Sequence, residues 1–104
     1  MRDIINEREK THGPYNFTAA WSQSLKDMFR GSPSWALMND GQKEALEMIA
    51  TKLARLLNGN HNFRDHPIDI AGYAELYADS IDMTTAEVAE QMETEIKNIM
   101  DVNT

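Results

Sequence analysis

Apolar residues recur every three or four positions along most of this chain, which is the spacing of helices that bury one face. The pattern predicts five helices, at about 2–10, 16–30, 40–57, 67–81 and 84–101. Segments containing Gly and Pro follow the first two helices, and Asn58-Gly59 is a natural end for the third. No stretch alternates between apolar and polar residues as a half-buried strand does. We therefore expect an all-α fold.

Three of the predicted helices, at about 16–30, 40–57 and 67–81, offer an apolar face to a common core, and the loop around Trp35 is expected to fold onto it. The seam of the last helix is narrow and glutamates surround it, so this helix packs either on its own domain or on a second copy. The predicted core and seam positions are Phe17, Ala20, Trp21, Ser24, Leu25, Met28, Phe29, Leu46, Ile49, Leu53, Leu56, Leu57, Ile70, Tyr73, Ala74, Tyr77, Val88, Met92, Ile96 and Ile99.

Length and composition favour one small domain that spans residues 1–104. The chain has no cysteine, which excludes a disulfide framework and a zinc–thiolate site. It has no apolar run of about 18 residues, so we expect no membrane association and a cytoplasmic location. The formal net charge of −7 disfavours direct binding to DNA, whereas a small nucleotide needs only local positive charge.

The segment from Asp65 to Ala74, Asp-His-Pro-Ile-Asp-Ile-Ala-Gly-Tyr-Ala, is the most informative part of the chain. Pro67 suits the first position of a helix, because its missing N–H needs no partner there. Asp69 then lies at the margin of the apolar face, where a carboxylate needs a partner. Two interpretations are open: Asp69 interacts favourably with the helix dipole near the N-terminus, or it is a ligand in a metal or nucleotide site.

The preceding helix carries a second group of charged residues. Glu44 and Glu47 lie one helical turn apart and can share a divalent cation, and Arg55 lies on the same face. Lys52 lies at the margin of the leucine stripe, from which it can reach Asp69 or a phosphate. The alternative is an ordinary solvated face held by salt bridges.

Common catalytic and phosphate-binding motifs are missing from the sequence. There is no G-x-x-x-x-G-K-[ST] phosphate loop and no G-x-S-x-G nucleophile motif. His12, His61 and His66 lack the spacing of metal ligands, and we expect them in loops. These absences exclude the usual P-loop enzymes and serine hydrolases.

Several short motifs occur in a characteristic order: Thr11-His12-Gly13, Asn16-Phe17, Trp21, Lys52-Leu53-Ala54-Arg55-Leu56, and Asp69 to Ala74. In this order the chain resembles a family of small proteins found largely in phages and prophages, which is similar to the MazG-like all-α nucleoside triphosphate pyrophosphatases. The resemblance covers about His12 to Ala78. It implies a MazG-like helical bundle of four to five helices, with a core at 12–81, an acidic C-terminal helix at 84–101, and completion by homo-oligomerisation.

The resemblance also implies a chemistry, the Mg²⁺-assisted cleavage of a nucleoside triphosphate between its α- and β-phosphates. Carried over to this chain, Glu44, Glu47 and Asp69 would hold Mg²⁺, with Glu47 and Asp69 acting catalytically. Lys52, Arg55 and Tyr73 would hold the nucleotide. His66 stands where the family has a glutamate, and the added Lys and Arg favour holding phosphate directly over holding metal.

Three functions remain open at this point. The first is a Mg²⁺-dependent nucleotide pyrophosphohydrolase. The second is a non-catalytic phage binder that sequesters a host signalling nucleotide and so acts in anti-defence. The third, prompted by the acidic last helix, is an inhibitor that occupies the basic nucleic-acid groove of a host protein.

Overall fold

The computed structural model describes residues 2–81 and 85–102, which form five α-helices. They are α1 (Arg2–His12), α2 (Tyr15–Arg30), α3 (Asp40–Asn58), α4 (Asp65–Asp79) and α5 (Thr85–Val102), with a 3₁₀ turn at Trp35–Leu37 between α2 and α3. No strand occurs in these two ranges, and the expected all-α fold is confirmed. Among the same residues, no helix combines the length and apolarity that crossing a membrane would need.

The third helix is the centre of the bundle. It packs most extensively against α4 and then against α2, while α1 contacts both α2 and α3. Ala45, Ala50 and Ala54 of α3 are almost fully buried, and their small side chains let the neighbouring helices approach closely. The core is therefore built around a spine of alanines, flanked by larger side chains that are only half-buried.

Hydrogen bonds at the helix ends fix how α3 and α4 meet. Asn39 and Gln42 form a reciprocal capping box at the start of α3, with distances of 2.9 and 3.0 Å. The Asn39 side-chain amide also donates to the carbonyl of Ser80 just beyond α4, at 2.7 Å. Gly59 ends α3 as predicted, and its N–H donates to the Arg55 carbonyl at 2.8 Å. The start of one helix is thus tied to the end of the other, and the pair runs antiparallel.

The second helix turns a different face toward α3 than its apolar residues predict. Phe17, Trp21 and Met28, which were expected in the core, are 65%, 47% and 72% exposed. Thr18 and Ser22 are buried in their place. Small hydroxyl side chains suit the close contact with the alanines of α3, and each has a hydrogen-bond partner, so their burial costs little. The prediction of the α2 core stripe was wrong at these positions.

The predicted faces of α3 and α4 agree better with the structure. On α3 only Leu57 of the predicted stripe is exposed, and on α4 only Ala74 is, while the remaining members are half-buried. The start of α4 differs from the prediction, because the helix begins at Asp65 and Pro67 is its third residue. The half-buried members are Leu46, Ile49, Leu53, Leu56, Ile70, Tyr73 and Tyr77.

The last helix stands apart from the bundle. Every side chain from Glu87 to Asp101 is exposed, including the predicted seam of Val88, Met92, Ile96 and Ile99. This seam therefore does not pack on its own domain. The radius of gyration is 17.1 Å, against about 13 Å for a compact domain of this length. The predicted start of this helix at residue 84 lies outside the described residues.

Candidate functional site

The carboxylate of Asp69 has its partner within the same chain. Lys52 Nζ of α3 lies 3.0 Å from Asp69 Oδ2 of α4, and the two side chains are 13% and 43% exposed. From the sequence, the partner of Lys52 could be either Asp69 or a phosphate, and in the structure it is Asp69. The ion pair joins the two helices that pack most extensively in the fold, so each residue has a structural role.

The other predicted acids lie apart from this pair. Glu47 Oε1 accepts a hydrogen bond from Arg30 of α2 at 3.0 Å, and Arg30 also pairs with Asp27 at 3.1 Å. Glu44 is exposed on α3. Within residues 2–81 and 85–102, no three His, Asp or Glu side chains lie close enough together to hold a metal ion.

Mg²⁺ prefers several hard oxygen ligands around one centre. Glu47 is paired with Arg30, and Asp69 is paired with Lys52. The predicted metal ligands Glu44, Glu47 and Asp69 therefore do not come together around one centre within one chain. Mg²⁺ binding stays a prediction from the sequence and the resemblance, and no chemical step through the metal follows from this arrangement.

A cleft of about 780 Å³ opens between α1, α2 and α3, and its charge is unlike that of the rest of the chain. Four cationic residues line it, Arg2, Arg8, Lys26 and Arg55, against the single carboxylate of Glu9. The lining therefore carries a formal charge of +3 in a chain whose total is −7. None of these four cations forms an ion pair with any residue in the described part of the chain.

Of the nucleotide-holding residues predicted from sequence, one lies on this cleft. Arg55 is part of its wall, whereas the half-buried Tyr73 of α4 is not among the lining residues, and Lys52 is engaged by Asp69. Tyr15, 77% exposed at the start of α2, supplies an aromatic ring to the lining instead.

Hydroxyl groups also line the cleft, on the side where α2 meets α3. Thr18 Oγ1 donates to the carbonyl of His12 at 2.8 Å, and Ser22 Oγ lies 3.4 Å from Thr51 Oγ1. Thr51 Oγ1 in turn donates to the carbonyl of Glu47 at 3.2 Å. The wall formed by α2 and α3 is thus a network of small polar groups held by packed helices.

The wall formed by α1 is held in place by a junction at Thr11. The Thr11 carbonyl accepts two hydrogen bonds, from the Asn60 N–H at 3.1 Å and from His66 Nε2 at 3.0 Å. His66 is 1% exposed and its ring lies edge-on to those of His12 and Phe63, at 5.1 and 4.9 Å. The expectation that His12 and His66 lie in loops was wrong, because both belong to helices that meet here.

His12 reports the positive potential of the cleft. Burial lowers the pKa of this histidine below its ordinary value of 6.5, and the neighbouring Arg55, His66, Lys52 and Arg8 lower it further. Its Nδ1 lies 2.8 Å from Thr11 Oγ1. Burial is the larger cause of this shift, and the positive charges that add to it are ones that would also attract an anion.

The sequence contains a signal for this cleft that residue motifs did not reveal. Residues 1–64 hold nine Lys and Arg against seven Asp and Glu, whereas residues 65–104 hold one against ten. The net charge of −7 hides this segregation. Arg2, Ile5, Glu9 and His12 recur at helical spacing on one face of α1, with Arg8 beside them, and that face lines the cleft.

Comparison of the chain with models of protein families, with curated proteins and with solved structures finds no match.

Proposed function

We propose that the protein binds a small phosphate-bearing ligand of the nucleotide class in the cleft between α1, α2 and α3. Binding, without turnover, is the function that the arrangement supports best. The observation that carries the proposal is the set of four cations that line one cleft of an acidic chain and have no ion-pair partner within residues 2–81 and 85–102.

The charge distribution supports an anionic ligand. Outside the cleft, Lys10, Arg30 and Lys52 each have a carboxylate within 3.1 Å, whereas Lys43, Arg64 and Lys97 have none among the described residues. The cleft keeps its cations apart from the abundant acids, which costs electrostatic energy unless an anion neutralises them. Its size is also suitable, since about 780 Å³ falls in the range of roughly 300–1,000 Å³ of small-ligand pockets.

The kinds of groups present support a phosphate on a nucleoside. Arg8 and Arg55 bring guanidinium groups, whose planar forks match phosphate oxygens in pairs. Tyr15 brings an exposed ring at the cleft, and aromatic rings stack on nucleobases.

Hydrolysis receives less support than binding. Glu44, Glu47 and Asp69, the predicted metal ligands, are absent from the lining of the cleft. Glu47 and Asp69 are neutralised by Arg30 and Lys52. A pyrophosphohydrolase would have to free these carboxylates and gather them around Mg²⁺, which binding alone does not require.

Isothermal titration calorimetry with pyrophosphate, nucleoside triphosphates, cyclic dinucleotides and unphosphorylated nucleosides tests the proposal, each with and without Mg²⁺. We expect phosphate-bearing compounds to bind and nucleosides not to bind. Arg55→Gln should weaken binding by about tenfold or more, since a charge-assisted hydrogen bond is worth about 1.5–3 kcal/mol. Arg64→Gln is the matched control, because Arg64 is exposed and outside the cleft.

The outcomes separate the alternatives. Absence of binding by every phosphate compound contradicts the proposal, as does an equal loss of affinity in the Arg55 and Arg64 variants. Phosphorus NMR on the same mixtures detects cleavage, and Mg²⁺-dependent release of pyrophosphate that Asp69→Asn abolishes would favour the enzyme over the binder.

A second candidate function has its own observation. Residues 65–104 carry ten acids and the single cation Lys97, and the described part of α5 is fully exposed. Such a surface can occupy a basic groove on another protein, with carboxylates in the place of nucleic-acid phosphates. Capture of basic proteins from a bacterial lysate, lost at high salt and in a Glu90→Gln/Glu93→Gln variant, would support this role. Capture that ignores both changes would contradict it.

A further inference from the structure

Two apolar helix faces are left uncovered by the part of the chain that the structure describes. One is the outer stripe of α2, formed by Phe17, Trp21 and Met28, which are all at least 47% exposed. The other is the α5 seam, formed by Val88, Met92, Ile96 and Ile99, which are at least 41% exposed. We propose that a second copy of the chain covers them, with the α5 seam of each copy packed on the α2 outer stripe of the other.

The exposed area is what a dimer needs. The chain exposes 7839 Å², whereas a monomeric protein of 11.9 kDa exposes about 6,000 Å², so the excess is roughly 1,800 Å². A stable interface of standard size covers about 800 Å² on each partner. Two helix–helix contacts, one in each direction, use this excess without any change in the bundle itself.

The two faces match in length and in spacing. The 16 residues of α2 span about 24 Å and the 18 residues of α5 about 27 Å. Apolar positions recur at steps of four and seven on α2, at 17, 21 and 28, and at steps of four and three on α5, at 88, 92, 96 and 99, so each set lies on one helix face. Side chains with this spacing interdigitate between two helices.

Charge favours α2 over α5 as the partner of each seam. At about 100° per residue, Glu95 borders one side of the α5 seam and Glu93 lies beyond Ala89 and Met100 on the other, so two α5 helices packed together would bring glutamates close to one another. The α2 outer stripe is bordered by neutral Ala20 and Ser24, and its nearest acid, Asp27, is paired with Arg30 at 3.1 Å. The exchange of α5 in both directions closes a twofold dimer with no face left open.

Sedimentation equilibrium of the full chain from about 1 to 100 μM tests the proposal, a range that includes the weaker interfaces of this size. We expect a particle of twice the 11.9 kDa chain mass. Met92→Gln/Ile96→Gln should weaken the dimer by at least about a hundredfold, because each copy loses two buried apolar side chains and the twofold dimer loses four. Glu90→Gln/Asn98→Gln changes two positions off the seam and should leave the mass unchanged.

Disulfide trapping identifies the partner helix, and because the sequence has no cysteine, only the introduced cysteines can form a disulfide. Ser24 borders the α2 outer stripe and Ala89 borders the α5 seam. A Ser24→Cys chain mixed with an Ala89→Cys chain should form the mixed dimer on oxidation. Ala89→Cys homodimers in excess would show α5 on α5, and would overturn the proposal. A monomer throughout the concentration range overturns it too, including one in which α5 folds back on its own α2.

Discussion

The ion pair between Lys52 and Asp69 allows a direct test of what this carboxylate does. At 3.0 Å, with an effective dielectric constant of about 20, two unit charges attract by about 5 kcal/mol. Desolvation of Lys52, which is 13% exposed, and the solvent access of Asp69, which is 43% exposed, offset most of this. We expect a net coupling of about 1–2 kcal/mol.

The two single substitutions should therefore differ. Asp69→Asn leaves the shielded Lys52 ammonium without its counter-charge and should lower the free energy of unfolding by about 2 kcal/mol. Lys52→Met keeps the packing of the aliphatic stem and should cost less than about 1 kcal/mol. Combining the two should cost little more than Lys52→Met alone, because the charge that Asp69 neutralises is then gone.

Urea unfolding followed by far-UV circular dichroism measures all three variants, with Glu75→Gln on the exposed side of α4 as the control. If Asp69→Asn leaves the free energy of unfolding unchanged and the double-mutant cycle shows no coupling, the structural assignment is wrong. If the same variant abolishes a Mg²⁺-dependent turnover of nucleotides at unchanged stability, Asp69 is a reactive carboxylate, as the family resemblance implied.

The remaining predictions concern the α1 wall of the cleft. Gly13→Ala should lower the free energy of unfolding by about 2–3 kcal/mol, because Gly13 has a φ of +84° and a Cβ there would overlap the end of α3. Gly72 lies on α4 with open space around it, so Gly72→Ala should instead raise the free energy of unfolding by up to about 1 kcal/mol. His66→Ala should cost about 3 kcal/mol through a cavity and a lost hydrogen bond, while the exposed His61→Ala costs almost nothing, and equal effects would contradict the junction. Because burial and nearby cations lower the pKa of His12, the unfolded chain binds a proton below pH 6.5 that the folded chain resists. Stability should therefore fall as the pH drops through 6.5 toward the lower pKa of His12 in the folded chain, and His12→Asn should flatten that part of the profile in urea titrations.

The sequence predicted the helices well because their signals are local. Apolar spacing, Asn58-Gly59 and the breaks after α1 and α2 placed every helix within a few residues of its observed bounds. The orientation of α2 was not predictable from the same spacing. Apolar periodicity identifies the face that avoids water, but an exposed stripe and a core stripe have the same pattern. Only the packing of Thr18 and Ser22 on α3 shows that the apolar stripe of α2 is an exposed stripe and not a core stripe.

The candidate site was likewise predictable from the sequence only in part. The sequence indicated two possible partners for Lys52, Asp69 and a phosphate. Asp69 was predictable because both residues border apolar faces of successive helices, and the structure contains this ion pair. The cleft was missed because its cations come from three helices that are distant in sequence, and no window of the chain contains them together. Arg55 alone belonged to both the predicted set and the cleft. Unlike a continuous motif, a cluster assembled by packing becomes visible only when the helices are placed.

The junction at Thr11 sets the order in which this protein opens. The contact with His66 spans 55 residues, and α1 has no buried side chain of its own. The helix is therefore attached mainly through one carbonyl and the residues beside it, whereas α3 and α4 are held along their length. Amide hydrogens of α1 should exchange with solvent through a local opening of low free energy, well before those of α3. Such an opening removes one wall of the cleft while the rest of the bundle stays folded, so entry to the cleft does not depend on global unfolding.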